Sequence, residues 1–65
     1  MDSNAIGKKL RDLRGNKTQT EVAFEIGLKP STYAMYEVGQ RIPRDENKKR
    51  IASYYQKTVE EIFYS

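Results

Sequence analysis

The stretch from Thr18 to Pro43 is punctuated so closely that it leaves the backbone few choices. Thr18 and Glu21 have capping-box spacing: the threonine hydroxyl accepts from the third helical amide, and the glutamate reaches back to the cap. Val22, Ala23 and Ile26 follow at helical intervals. Gly27 stands where a helix C-terminus wants a residue with positive φ. Pro30 fits the first turn of a second helix, where a missing N–H costs nothing. Gly39 stops that helix, and Ile42-Pro43 make a rigid connector. The pattern predicts two short helices, over about residues 19–26 and 30–38, joined by a tight turn. On the second, Tyr33, Tyr36 and Glu37 share one face at i, i+3, i+4. Ser31, Thr32 and Met35 share another.

The flanks extend the helical pattern. Ile6, Leu10 and Leu13 predict a helix over about residues 4–14, capped by Asp2, Ser3 or Asn4. Gly15-Asn16 ends it. A fourth helix starts near Arg44 or Asp45, with Asp45 and Glu46 complementing its N-terminal dipole. Its inward stripe is Ile51, Ala52 and Tyr55, and Lys48, Lys49 and Arg50 are expected on its wet side. Thr58 and Glu61 repeat the capping box before a last short helix with Val59, Ile62 and Phe63 on its apolar side. The expected fold is all-α, a compact five-helix domain covering residues 1–65 with one core.

Sixty-five residues make one domain and no more. A chain this short buries only about 60% of its unfolded surface. It has no cysteine, so no disulfide and no thiolate metal site, and no histidine or tryptophan. Stability has to come from helix packing or from a partner chain. Without His or Cys, and with no carboxylate pair facing a plausible pocket, enzymatic chemistry is not expected, nor is a metal or cofactor. No apolar run approaches the ~18 residues of a membrane span, and no signal-peptide segment follows the start, so the expected compartment is the cytoplasm.

The net charge of +3 is unevenly placed: residues 1–50 hold 11 of the 12 Lys and Arg and 7 of the 9 Asp and Glu. The basic surplus therefore sits with the two punctuated helices, and the tail is apolar and slightly acidic. A basic end suits a polyanion. Two short helices joined by a tight turn, with small polar residues on the outer face of the second, are how a helix-turn-helix places one helix in the DNA major groove.

At these residues the chain resembles the phage repressor and Cro family of helix-turn-helix domains, the XRE type. The likeness is carried by Ile6-Gly7, Leu10-Arg11, Leu13-Arg14, Thr18-Gln19, Val22-Ala23, Gly27, Ser31-Thr32, Tyr36-Glu37, Gly39, Pro43, Ile51-Ala52, Val59 and Ile62. It covers about residues 5–63. The resemblance implies five helices and a cytoplasmic transcription regulator, bound as a two-fold dimer to a palindromic double-stranded DNA operator. By position it implies Thr18 and Gln19 at a phosphate, and Lys29, Pro30, Ser31, Thr32 and Met35 at the bases. It implies an Arg14–Glu37 pair tying the first helix to the third, and Arg41 and Arg44 following the backbone past the reading helix. Pro30, Met35 and Val38 depart from the family's pattern, each standing where a polar or basic residue is common. The connection between the first two helices is about two residues shorter than in many relatives.

Each position has a physical rationale. Gln19 and the free N–H groups at a helix start can hold a phosphate. Ser31 and Thr32 fit base edges, phosphates or plain helix-start chemistry, and an outward Met35 suits a thymine methyl. Lys29, Arg41 and Arg44 flank the second helix as phosphate contacts, and Arg44 has a further reading, entry into a narrowed minor groove. Tyr33, Tyr36 and Tyr55 are core residues, with Tyr54 and Tyr64 at the surface. Phe24 falls off the core stripe, either as a partner patch or folded over a neighbour. Apolar residues crowd the tail: some finish the core, and the surplus among Tyr54, Val59, Ile62, Phe63 and Tyr64 supplies the candidates for a homodimer surface, symmetric dimers being the commonest oligomers. No small-molecule effector is expected. The competing reading is a protein-interaction module on the same fold, antitoxin-like or an adaptor, with weak DNA binding. RNA is disfavoured because the exposed helix face lacks stacking aromatics.

Overall fold

The computed structural model describes residues 1–64. Among them there are five α-helices and no strand: α1 (Ser3–Arg14), α2 (Gln19–Ile26), α3 (Pro30–Glu37), α4 (Asp45–Tyr54) and α5 (Val59–Phe63). Each start has a chemical cause. The Asp2 carboxylate accepts from the amides of Asn4 and Ala5 at 3.0 and 3.4 Å and opens α1. At α2, Thr18 Oγ1 accepts from Glu21 N at 3.0 Å, and Glu21 Oε1 accepts from Thr18 N at 2.9 Å. Thr58 and Glu61 repeat both bonds at α5, at 3.0 and 2.8 Å. These main-chain and hydroxyl donors hold the Glu61 carboxyl below the usual carboxylate range. Helix α3 has no side-chain cap and relies on Pro30 at its first position. It ends at Glu37, one residue before the expected limit, because the Gln40 amide already folds back to the Met35 carbonyl at 3.0 Å.

Helix α3 lies between α1 and α2, α4 packs on α2, and α5 closes the bundle against α1 and α4. Each helix supplies the core: Ile6 and Leu10, Val22 and Ala23, Tyr33 and Tyr36, Ile51 and Ala52, Ile62 and Phe63. Burying a Leu, Val or Ile fully contributes about 1.5–3 kcal/mol, which replaces the missing staple. Polar atoms inside the core are paired. The Tyr33 and Tyr55 hydroxyls share a 2.7 Å hydrogen bond, and Asn47 Nδ2 donates to the Tyr36 hydroxyl at 3.1 Å. Burial pushes the Tyr33 hydroxyl well above the ordinary tyrosine range, so it stays neutral. The closest helix contact is α1 on α3. A Cβ at Gly7 would lie 2.2 Å from the Glu37 carbonyl oxygen, so only glycine allows this approach.

Two expectations need correction. Lys48 is not on a wet face but buried, with Nζ donating to the Tyr64 hydroxyl at 2.8 Å and lying 4.9 Å from that ring's centroid. The methylene stem packs while the ammonium finds polar and aromatic partners, Asp45 Oδ1 among them at 3.7 Å. The Tyr64 hydrogen bond raises its pKa above the ordinary lysine value, so the charge persists. Ile62 and Phe63, expected at a homodimer surface, are only 2% and 3% exposed. A five-residue helix has little apolar surface, and α5 spends both side chains plugging the core.

Candidate nucleic-acid interface

The outer side of α3 and the segments flanking it form one continuous face. Lys29, Pro30 and Ser31 at the start of α3 are exposed, and Thr32 and Met35 are half-buried one turn on. Met35 takes no part in the core, in keeping with its outward register from Ser31. The opposite side of α3 carries Tyr33, Tyr36 and Glu37, all buried. After α3, Arg41 and Arg44 are exposed and line a cleft of about 230 Å³ with Thr32, Tyr36, Ile42, Glu46 and Asn47. Arg44 is also the N-cap residue of α4, although its side chain caps nothing. Among the described residues, no hydrogen bond or ion pair engages the side chains of Lys29, Arg41 or Arg44. By contrast, Lys17 is paired with Glu25 at 3.0 Å and Arg50 with Glu46 at 3.4 Å.

A charged network stands behind this face. Arg14 Nε and Nη2 donate to the two Glu37 carboxylate oxygens at 2.8 and 3.1 Å, a bidentate pair. Arg14 Nη1 donates to the Lys17 carbonyl at 2.7 Å. Gln19 Nε2 donates to Glu37 Oε1 at 2.8 Å, and Arg11 Nη1 donates to the Glu37 carbonyl. Glu37 is fully buried. Burial alone pushes its pKa up, but the Arg14, Gln19 and Tyr33 donors outweigh it, and the carboxyl lies below its ordinary range. Glu37 is thus a buried anion with its oxygens satisfied, holding α1, α2 and α3 together.

Two short helices, a tight glycine-centred turn, a buried pair locking the second helix to the scaffold and an exposed small polar face are the parts of a helix-turn-helix. The family model described as helix-turn-helix matches residues 8–62. The chain belongs to the XRE-type helix-turn-helix family. It is 38% identical over 47 residues to a protein named cryptic phage CTXphi transcriptional repressor RstR, from Vibrio cholerae. That match takes in 72% of the chain and 42% of the relative, so the chain spans less than half of the relative's length. No solved structure matches.

Within this helix-turn-helix the expected DNA-facing residues divide into two groups. Lys29, Pro30, Ser31, Thr32, Met35, Arg41 and Arg44 lie together around α3. Thr18 and Gln19 sit at the start of α2, with Thr18 committed to its cap and Gln19 half-buried against Glu37. Among the expected dimer residues, Tyr64 is 57% exposed, while Val59 and Tyr54 are half-buried. The Tyr54 hydroxyl donates to Glu25, which Lys17 also contacts. These hydrogen bonds, Tyr54's first, hold the Glu25 carboxyl below its usual range. Phe24 is 84% exposed, which settles its placement off the core. Sequence reasoning missed the Arg11 hydrogen bond to the Glu37 carbonyl and the Gln19 bond to its carboxylate. The presence of Gly7 was the signal for the first, since close approach of α1 brings Arg11 over the end of α3. Among the described residues, no helix is long and apolar enough to cross a membrane.

Proposed function

We propose that this chain is a cytoplasmic, sequence-specific double-stranded DNA-binding domain, residues 1–65, of a regulator that represses transcription by occupying an operator. The observation that carries the reading is the set of unpaired cations, Lys29, Arg41 and Arg44, around the polar start of α3. Cations without protein partners on one face are available to phosphates, which supply most of non-specific affinity. Ser31, Thr32 and Met35 then read base edges and a thymine methyl. The relative's printed name, a transcriptional repressor, supports the same direction. One recognition helix covers few base pairs, so two copies on a palindrome give the needed specificity, with Tyr64, Val59 and Tyr54 as the remaining surface for pairing.

The test is selection of bound sequences from random duplexes, followed by fluorescence anisotropy at two salt concentrations. A palindromic site should emerge, Ser31→Ala/Met35→Ala should relax its preference, and Gln19→Ala should weaken all sequences alike. Weak binding without preference, unchanged in these variants, refutes the proposal. The second reading, a partner-docking module, rests on Phe24, whose 84% exposure no helix of the chain relieves. Loss of partner capture in Phe24→Ser, with no selected DNA site, would favour it.

A further inference from the structure

We infer that Glu37 is a positioning residue for DNA binding: its buried carboxylate fixes the Gln19 amide at the start of α2 and so ties the phosphate contact there to the register of α3. The inference rests on the DNA-binding reading above.

The argument begins with what an ionised carboxylate can do. It accepts and cannot donate, so the group Gln19 turns toward it must be Nε2–H and not the amide oxygen. The 2.8 Å bond therefore decides which end of the amide faces inward. It also removes rotamer freedom that an exposed glutamine would lose only on meeting DNA. Glu37 can impose this because it does not move: Arg14 holds both carboxylate oxygens, Arg11 holds the carbonyl, and Gly7 lets α1 close directly over that carbonyl.

The donors left over lie side by side in the chain. One Nε2 hydrogen of Gln19 remains, and so do the main-chain N–H groups of Gln19 and Thr20, because the Thr18 hydroxyl is spent on Glu21 N. Those groups suit an anionic oxygen at a helix start. Arg14 spends three of its five N–H groups inward, Nε and one of Nη2 on Glu37 and one of Nη1 on the Lys17 carbonyl. A phosphate held by Gln19 is thus two hydrogen bonds from Glu37, the last residue of α3, and three from Arg14. Gripping the backbone at α2 sets where α3 lies in the groove.

A double-mutant cycle tests this on the selected duplex, with wild type, Gln19→Ala, Glu37→Gln and the double variant compared by anisotropy. Gln19→Ala should raise Kd about tenfold in the wild-type background, as expected for a hydrogen bond to a charged group. In the Glu37→Gln background, where residue 37 can present either an amide oxygen or an amide N–H and no longer dictates which end of Gln19 faces inward, the same change should raise Kd less than about twofold. Equal penalties in both backgrounds overturn the inference, since a purely structural Glu37 leaves Gln19 its full contribution. Absence of duplex binding by the wild type overturns the DNA-binding reading, and this inference with it. If Glu37→Gln does not fold, the wild type decides by side-chain amide hydrogen exchange. Gln19 should exchange about tenfold more slowly than the exposed Gln40 and Gln56, and equal rates overturn the inference.

Discussion

Replacing Arg14 by alanine strands a carboxylate. Glu37 is fully buried, and Arg14 supplies two of the three N–H donors within 3.1 Å of its oxygens. Breaking a fully buried pair by removing one partner costs about 3–5 kcal/mol. Arg14 retains 20% side-chain exposure, so water enters the vacated space and relieves part of that cost. Gln19 still donates to Oε1. About 2–3 kcal/mol is the resulting expectation, including the lost bond to the Lys17 carbonyl. For a domain of this size that lowers the thermal midpoint by roughly 10–20 °C. Acidification gives the diagnostic signature. In the wild type the Glu37 pKa is depressed on folding, so its contribution is complete above the ordinary carboxylate value and lost as pH falls through the folded value. Without Arg14 the burial that opposes ionisation has one less opponent, and the folded pKa moves up. The stability gap between wild type and variant should therefore be full above the variant's raised folded pKa and shrink as pH falls from there through the depressed wild-type value. Circular-dichroism melts of both proteins from pH 7 to pH 3 measure this. A loss below about 1 kcal/mol that does not vary with pH would place Arg14–Glu37 among ordinary surface pairs and refute the reasoning.

Other positions give independent tests. Gly7→Ala places a methyl 2.2 Å from the Glu37 carbonyl oxygen, so α1 must retreat from α3. Urea unfolding should show a loss of about 1–3 kcal/mol. Arg41→Ala and Arg44→Ala should leave stability unchanged but each reduce the salt slope of duplex binding by about one unit. Phe24→Ser should change the melting free energy by less than about 0.5 kcal/mol, because the ring is already in water, and should raise solubility in a precipitation assay.

The fold was legible because its signals are local. Thr18 with Glu21 and Thr58 with Glu61 each declare a helix start within four residues, and both capping boxes form completely. Tyr33, Tyr36 and Glu37 announce one inward face of α3 by spacing alone. Lys48 escapes such local signals for the converse reason. Helical periodicity ranks a lysine by its polarity, while its burial depends on Phe63 and Tyr64, which lie 15 and 16 residues away. Ile62 and Phe63 stand among the homodimer candidates because the tail has more apolar residues than a short helix needs for one stripe. The bundle leaves an open end between α1 and α4 that consumes both.

The candidate site divides along the same line. Its exposed part follows from register and charge: a polar side of α3, with unpaired cations before and after it. Its buried part joins residues from three helices, and no pattern within one helix reports a hydrogen bond to another. Sequence reasoning could place Gln19 at the start of α2 and Glu37 at the end of α3. It could not see that the two meet at 2.8 Å. Their meeting changes what each is for. A glutamate on a DNA-facing helix would repel phosphate in solvent. Turned inward and neutralised by Arg14, it becomes the fixed point from which a neutral amide is held toward the backbone. The net charge of the site is set at Glu37 as much as at the exposed cations, because an unpaired anion there would offset one of them.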